Sequence, residues 1–221
     1  MNEKTEDRRR GSFGLTITSI ILAGGRSSRF GREKHTEVIA GKSLIERVID
    51  RLRLLGPEIL IVISQRQARS SVSLCIFPEV KTVVDLYPEK SSLGGIYTGL
   101  VHSTYLRNLV VACDMPFLNL NLLRYMIDLS PDFDVVIPRI GDQMEPLHAI
   151  YSKNCLSPME NLLKQDNLRI INLLNSVKGR YVEKDELDRF DPEHLSFFNI
   201  NTRADLERAQ ILAAQETTLR N

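Results

Sequence analysis

Short apolar runs alternate with longer amphipathic segments along most of this chain. Continuous β-branched and aliphatic runs that end at Gly, Pro or acidic residues are typical of strands buried on both faces of a parallel sheet. Eight such runs predict strands, at 15–22, 58–64, 75–77, 81–85, 108–114, 134–138, 145–152 and 195–200.

The segments between these runs carry apolar residues at helical spacing. They predict helices at 44–55, 93–104, 118–129 and 154–165, and one that follows Thr202 near the C-terminus. Ser43 and Glu46 have the spacing of a capping box, and Thr202 and Asp205 suit a second helix start. Strands that alternate with helices predict a three-layer α/β fold with a mostly parallel sheet. We expect a flexible tail at 1–14 and a single domain at 15–221.

Composition narrows the class of protein. The chain is 43% hydrophobic and 26% charged, with a net charge of +1, which is ordinary for a globular protein and disfavours a nucleic-acid-binding surface. Cys75, Cys113 and Cys155 are too widely spaced for a CxxC metal site or a disulfide framework, so we expect reduced thiols and a cytoplasmic location. No apolar stretch approaches the ~20 residues of a membrane span.

Three informative places follow predicted strands directly: the Gly24-Gly25 loop, Asp85 and Asp114. In parallel α/β sheets, ligands bind outside the carboxyl ends of the strands. These places are distant in sequence and equivalent in topology, so the sequence predicts a ligand site at this edge.

The loop "ILAGGRSSRFGREKH" at 21–35 combines glycines with four basic residues, Arg26, Arg29, Arg32 and Lys34. Backbone N–H groups in such a loop form an anion-binding concavity, and the basic side chains suit phosphates. Neither the Walker A spacing nor GxGxxG is present. A plain strand-to-helix turn with solvated charges is the alternative.

The same loop resembles the signature of the molybdenum cofactor guanylyltransferases, Leu-Ala-Gly-Gly-x-Ser-x-Arg-Met-Gly-x-Asp-Lys. Further segments resemble that family in the same order: "VVDLYPEKSSLGGIYTGL", "VVACDMPFL", "EPLHAIY" and "FFNINT". The matches extend from residue 17 to 208. The resemblance implies a Rossmann-like nucleotide-diphospho-sugar transferase fold, and an enzyme that transfers GMP from GTP to the phosphate of molybdopterin with release of pyrophosphate.

The resemblance also implies how GTP is bound. Main-chain groups of Leu22, Ala23 and Gly24 would hold the guanine. Cytidylyltransferase relatives tend to have Ala-Ala-Gly where this chain has Ala-Gly-Gly. Because a smaller residue leaves room for a purine, Gly25 favours GTP over CTP. Asp85 would contact the nucleotide, with a capping role as the alternative. Ser64 stands where some members carry a nucleotide-binding asparagine, and its shorter side chain weakens that contact.

For the chemistry, the resemblance implies that Asp114 binds Mg²⁺, whereas a turn cap before Pro116 is the alternative. Lys34 would contact the triphosphate, with Arg29 as a second candidate. Asn199 and Asn201, at the end of the last predicted strand, would bind the acceptor phosphate, or one of them would supply a second oxygen to the metal; a turn before the Thr202 cap is the alternative. His148 near the presumed acceptor region is expected to be structural, since this chemistry needs no protein nucleophile.

One departure from the family pattern affects the loop before the helix predicted at 93–104. The family has Pro-Gly-x-Gly-Pro-Leu there, whereas this chain has Glu89, Ser91 and Ser92 in place of both glycines and the second proline. Two alternatives therefore stay open. One is a related transferase that uses CTP or a sugar-phosphate acceptor, and the other is a nucleotide-binding regulator without turnover. The family resemblance implies transient contacts with molybdoenzyme apoproteins, their chaperones and a GTP-binding accessory protein.

Overall fold

The computed structural model describes residues 16–24, 36–69, 77 and 79–218. Eight strands in this part of the chain form one sheet: β1 (Ile17–Leu22), β4 (Glu58–Ile63), β5 (Val80–Val84), β6 (Arg107–Ala112), β7 (Val135–Ile140), β8 (Gln143–Met144), β9 (His148–Ser152) and β10 (Gly179–Glu183). A separate antiparallel pair consists of β2 (Val38–Ile39) and β3 (Lys42–Ser43).

The strand order in the sheet is β10-β7-β9-β6-β1-β4-β5, with β8 paired to β7. Every pairing among β6, β1, β4 and β5 is parallel, and β10 is parallel to β7. Because β9 is antiparallel to both β6 and β7, those two strands run in the same direction. The carboxyl ends of β10, β7, β6, β1, β4 and β5 therefore lie along one edge, and the predicted mostly parallel sheet is confirmed.

Helices cover both faces of this sheet. They are α1 (Leu44–Leu52), α2 (Gln65–Arg69), α3 (Ser91–His102), α4 (Leu120–Leu129), α5 (Leu156–Lys164), α6 (Ile170–Leu174), α7 (Lys184–Leu187) and α8 (Arg203–Thr218). One apolar cluster joins the sheet to α1, α4 and α7, and a second joins its other face to α3, α5 and α6. The result is the predicted three-layer arrangement. No helix in the described ranges is long and apolar enough to cross a membrane.

Local sequence signals fix where the helices begin. The Glu46 amide donates to Ser43 Oγ at 3.4 Å, and the Ser43 amide donates to Glu46 Oε2 at 2.6 Å, which completes the predicted capping box of α1. Before α8, the Asp205 amide donates to Thr202 Oγ1 at 3.2 Å, and Asp205 Oδ2 accepts from the Thr202 amide at 2.7 Å. Both predicted helix starts are confirmed.

Glycines let α3 lie unusually close to the sheet. A Cβ on Gly99 would lie 2.6 Å from Ile20 Cγ2, and one on Gly94 would lie 2.8 Å from the Tyr87 carbonyl oxygen. A side chain at position 99 would push α3 away from β1, and one at position 94 would push it away from the loop after β5. The helix thereby brings its N-terminal turn to the carboxyl edge, beside the end of β5.

The prediction of a strand at 195–200 is wrong. Leu195–Phe197 form a 3-10 turn, held because the Asp191 carboxylate accepts from the Leu195 and Ser196 amides at 3.1 and 2.8 Å. His194 precedes the turn with a left-handed φ of 54°. Phe197 and Ile200 are buried against helices, which explains an apolar run that has no strand pairing.

Other boundaries differ by small amounts. The helix predicted from Leu93 begins at Ser91, and the strand predicted at 145–152 begins only at His148, as β9. The strand predicted at 108–114 ends at Ala112. The sequence does not predict β2, β3, β8, β10, α2, α6 or α7. Of the strand predicted at 75–77, residues 75 and 76 lie outside the described residues.

Candidate active site

Four strands end side by side at the carboxyl edge, in the order β6, β1, β4, β5. Asp114 follows β6, Ala23 and Gly24 follow β1, Ser64 follows β4, and Asp85 follows β5. The structure therefore brings these predicted site residues into one row. This row is defined as Asp114, Ala23–Gly24, Ser64 and Asp85.

Backbone hydrogen bonds extend the sheet into the row. The Cys113 amide donates to the Leu22 carbonyl at 3.2 Å, and the Ala23 amide donates to the Val62 carbonyl at 2.9 Å. The Asp85 amide donates to the Ile63 carbonyl at 2.8 Å. These bonds fix the directions in which the chain leaves each strand.

Gly24 is the exposed member of the row, next to buried Ala23. A Cβ on Gly24 would lie 3.2 Å from the Ser64 nitrogen, closer than side chains normally approach backbone. Leu22 is half-buried and packs under the row, where its side chain would lie 3.3 Å from a Cβ on Gly95. The end of β1 thus presents main chain, not side chains, to the edge.

Asp85 is held in a fixed orientation by the helix that follows it. Its Oδ1 accepts from the Tyr87 amide at 3.0 Å and lies 2.9 Å from the hydroxyl of Thr98, a fully buried residue of α3. The same hydroxyl accepts from the Leu86 amide at 3.0 Å. The capping role that the sequence left open for Asp85 is therefore present. The other carboxylate oxygen, Oδ2, makes no hydrogen bond or ion pair within the described residues.

Gln67 on α2 is a site residue that the sequence reading missed. Its Nε2 donates to the Ala23 carbonyl at 2.9 Å, and its Oε1 accepts from the Ser64 amide and hydroxyl at 2.9 and 2.8 Å. The Gln67 amide donates back to Ser64 Oγ at 3.3 Å, which makes a Ser-x-x-Gln capping box. That spacing, visible in "SQRQ", is the signal that could have found it.

Asp114 is half-buried, and its carbonyl accepts from the Ile200 amide at 3.1 Å. This bond places 197–202 beside Asp114, although the segment is not a strand. Asn199 Nδ2 donates to the Phe197 carbonyl at 3.1 Å, and the exposed Asn201 gives its amide to Asp205 Oδ2 at 2.9 Å. The two asparagines therefore lie near Asp114 for a different reason from the predicted one.

His148 is fully buried at the start of β9. Its Nε2 lies 2.7 Å from Ser196 Oγ, its ring packs 4.6 Å from the Phe197 ring, and burial lowers its pKa to about 4. Its Nδ1 has no hydrogen-bond partner in the described chain, so no carboxylate completes a Ser-His-Asp arrangement. His148 is neutral near pH 7 and joins β9 to the 3-10 turn, as expected of a structural histidine.

Charged residues lie along the other half of the carboxyl edge, which β7 and β10 form. Arg139 at the end of β7 pairs with Glu183 of β10 at 2.5 Å, and its guanidinium carbon lies 4.5 Å from the centre of the Tyr181 ring. Glu145 is half-buried between β8 and β9, and burial raises the pKa of its carboxyl group. This half adjoins Asp114 on the side away from β1.

Three predicted site residues, Gly25, Arg29 and Lys34, lie outside the described residues. Their expected roles as a guanine and phosphate cradle stay predictions. The described part of the loop ends at Gly24, and the chain is described again from Thr36.

Comparison with known proteins decides the family. Residues 19–177 match the family of the MobA-like NTP transferase domain. The chain belongs to this family. A probable molybdenum cofactor guanylyltransferase from Pelotomaculum thermopropionicum is 34% identical over 92% of this chain and 97% of its own. A molybdenum cofactor guanylyltransferase from Desulfosudis oleivorans is 34% identical over 88% and 94%, respectively.

A solved MobA-like structure has the same fold. It is the molybdopterin-guanine dinucleotide biosynthesis protein A from Archaeoglobus fulgidus, 30% identical, with a TM-score of 0.77 over 90% of this chain and 99% of that one. The nucleotidyltransferase fold expected from the sequence is thus confirmed, and so is the predicted resemblance to the guanylyltransferases.

The loop at 88–92 lacks the two glycines of the family motif but keeps the left-handed backbone conformation that glycine favours. Glu89 and Ser91, at the two positions where the family motif has glycine, have φ of 71° and 54°. L-residues adopt this left-handed conformation at a cost of about 1 kcal/mol each. The altered residues therefore add side chains without changing the handedness of the turn that leads into α3.

Proposed function

We propose that this MobA-like chain transfers GMP from GTP to the terminal phosphate of molybdopterin, which yields the guanine dinucleotide form of the cofactor and pyrophosphate. One observation carries the proposal beyond family membership. The row at the carboxyl edge combines exposed main chain at Gly24 with the carboxylates of Asp85 and Asp114, which is the place where such sheets bind ligands.

The nucleotide lies over the β1 half of the row in this proposal. Main-chain groups of Leu22, Ala23 and Gly24 hold the guanine, and Gly25 leaves room for a purine. Asp85, which Thr98 and the Tyr87 amide hold through one oxygen, contacts the nucleotide with the other. Ser64 borders the base, but its hydroxyl and amide both serve the capping box, which supports a main-chain mode of recognition.

Asp114 is the residue that would hold Mg²⁺. Mg²⁺ needs only one or two carboxylates when substrate phosphates and waters supply its other ligands. Within the described ranges, no three His, Cys, Asp or Glu side chains form a ready-made metal cluster, and a half-buried carboxylate beside a phosphate site suits this open kind of binding. A bound Mg²⁺ would neutralise charge on the phosphates.

The reaction makes few demands on the protein. An oxygen of the acceptor phosphate attacks the α-phosphorus of GTP, a new P–O bond forms, and the bond to pyrophosphate breaks. That oxygen is already ionised near neutral pH, so positioning and charge neutralisation are the main requirements. Lys34 and Arg29 would offset charge on the leaving pyrophosphate. Neutral, buried His148 takes no part in proton transfer.

The acceptor lies on the β7 side of Asp114. Asn199 and Asn201 follow the 3-10 turn that the Ile200–Asp114 bond holds against the row, and their side-chain amides would position the acceptor phosphate. We further propose a cytoplasmic enzyme that hands its product to molybdoenzyme apoproteins and their chaperones, with a GTP-binding accessory protein as a transient partner.

Pyrophosphate release tests the function directly. Purified protein with Mg²⁺ is given GTP, CTP, ATP or UTP, each with and without molybdopterin. We expect release from GTP only, and only when molybdopterin is present. Release from CTP would mean that the specificity assigned to Gly25 is wrong. GTP binding without release would support the non-catalytic alternative.

A further inference from the structure

The pairing of β1 with β4 lacks its last regular backbone hydrogen bond, next to Gly24 of the row. Leu22 is paired with Val62, and the Ala23 amide donates to the Val62 carbonyl at 2.9 Å. In a regular parallel ladder, the next bond would run from the Ser64 amide to the Ala23 carbonyl. The neighbouring pairs make the equivalent bond, from Cys113 to Leu22 and from Asp85 to Ile63.

The carboxamide of Gln67 stands in that position. The Ser64 amide donates to Gln67 Oε1 at 2.9 Å, and Gln67 Nε2 donates to the Ala23 carbonyl at 2.9 Å. One side-chain amide thus bridges the donor and the acceptor of the missing bond. The ends of β1 and β4 are thus joined through this amide, at the point where the chain enters the glycine loop.

Fixing the Ala23 carbonyl also fixes the next N–H group. The Ala23–Gly24 peptide is planar and trans, so its C=O and N–H point in opposite directions. Since the carbonyl points to Gln67 on the β4 side, the Gly24 N–H points to the side of β6 and Asp114. Glycine has unusual backbone freedom, and without this bond the Ala23–Gly24 peptide could rotate.

We propose that Gln67 is a positioning residue for the nucleotide base: its amide nitrogen orients the Ala23–Gly24 peptide that faces the guanine. The inference rests on the proposed function, in which residues 22–24 bind the base. Gln67 needs no contact with the nucleotide for this role. Its oxygen serves the capping box of α2, and its nitrogen serves Ala23, so the two roles can be separated by substitution.

Gln67→Glu makes that separation. Glutamate retains an acceptor for the Ser64 amide and is favoured at this position of a capping box. It loses the donor and sets a carboxylate oxygen against the Ala23 carbonyl. Gln65→Glu is the matched control, because it makes the same change of charge at an exposed position of α2, two residues before Gln67.

The experiment measures Kd for GTP and for inorganic tripolyphosphate, which has the phosphates without the base, on the full-length protein with Mg²⁺. We expect Gln67→Glu to weaken GTP by about 10-fold, the scale of one lost hydrogen bond, with tripolyphosphate within about twofold of wild type. We expect Gln65→Glu to keep both Kd values within about twofold, because its side chain is exposed on α2. Circular dichroism checks that both variants are folded.

The outcomes separate this inference from the function on which it rests. An unchanged Kd for GTP in Gln67→Glu would overturn the positioning role and leave the proposed function intact. An equal loss of GTP and tripolyphosphate would also overturn it, because the effect would then not concern the base. Wild-type protein that binds no GTP would overturn both.

Discussion

Two half-buried glutamates at opposite edges of the sheet are in opposite electrostatic situations. Glu58 begins β4 at the amino edge, where its carboxylate accepts from the Thr104 amide at 2.8 Å, the Thr104 hydroxyl at 2.7 Å and the Thr18 hydroxyl. Glu145 lies at the carboxyl edge, near the end of β6, and its carboxylate has no hydrogen-bond or ion-pair partner within the described chain.

The two environments shift the carboxyl pKa values in opposite directions. Burial alone would raise the pKa of Glu58, but the hydrogen bonds from Thr18 and Thr104 outweigh burial and lower it. Burial raises the pKa of Glu145, with nothing to oppose it. The amino-edge glutamate is therefore built for stability, whereas the carboxyl edge leaves charge uncompensated where a ligand is expected.

Asp114→Asn, at the carboxyl edge, should have the largest effect of the substitutions considered, and the effect should be on activity. The substitution keeps the shape of the side chain and removes its charge, so we expect pyrophosphate release to fall at least about 100-fold, the usual scale for loss of one group that stabilises transition-state charge. Steady-state rates with GTP, Mg²⁺ and molybdopterin measure this effect.

Thermal unfolding provides the control for Asp114→Asn. The backbone bond from Ile200 to the residue 114 carbonyl is unaffected by the change, so we expect Tm to move by less than about 3 °C, the shift that a fraction of 1 kcal/mol produces in a domain of this size. A fall in Tm that matches the fall in rate would mean that Asp114 is structural.

Glu58→Gln should have the next largest effect, on stability alone. An amide cannot accept all three hydrogen bonds, and since the site is partly exposed we expect a loss of about 1 kcal/mol at pH 7. Because the folded pKa of Glu58 is lowered, the loss is complete above about pH 5 and disappears as the pH falls through that pKa. Denaturant unfolding of both proteins between pH 3 and 7 measures it, and a difference independent of pH would contradict the assignment.

The sequence was sufficient for the central strands and their ends. The second halves of β1, β4 and β6 are apolar at every position because they are packed between two layers of helices, and Asp85 and Asp114 follow such apolar runs. Topology then places these acids at one edge without any knowledge of side-chain contacts.

The elements that were missed or wrong depend on tertiary contacts. β10 is an edge strand with Gly179, Arg180 and Glu183 among its five residues, so its apolar pattern is weak. The run at 195–200 is apolar because helices and loops cover it, and Asp191 holds it as a turn. Gln67 and Thr98 contact the row from helices. The apolar periodicity of a helix does not show which of its polar side chains bond to the end of a strand, as these two bond to Ala23 and Asp85.

Glu145→Gln should have the smallest effect and the opposite sign. Burial of ionised Glu145 without a hydrogen-bonding partner destabilises the folded state, so we expect the neutral variant to gain less than about 1 kcal/mol in unfolding free energy at pH 7. Because the folded pKa is raised, the gain is complete above that pKa and disappears below the ordinary glutamate pKa of about 4.3. Denaturant unfolding between pH 3.5 and 8 measures it, with exposed Glu193→Gln as the control that should change nothing. A destabilised Glu145→Gln would mean that the ionised carboxylate stabilises the fold, and the contrast between the two edges would fail.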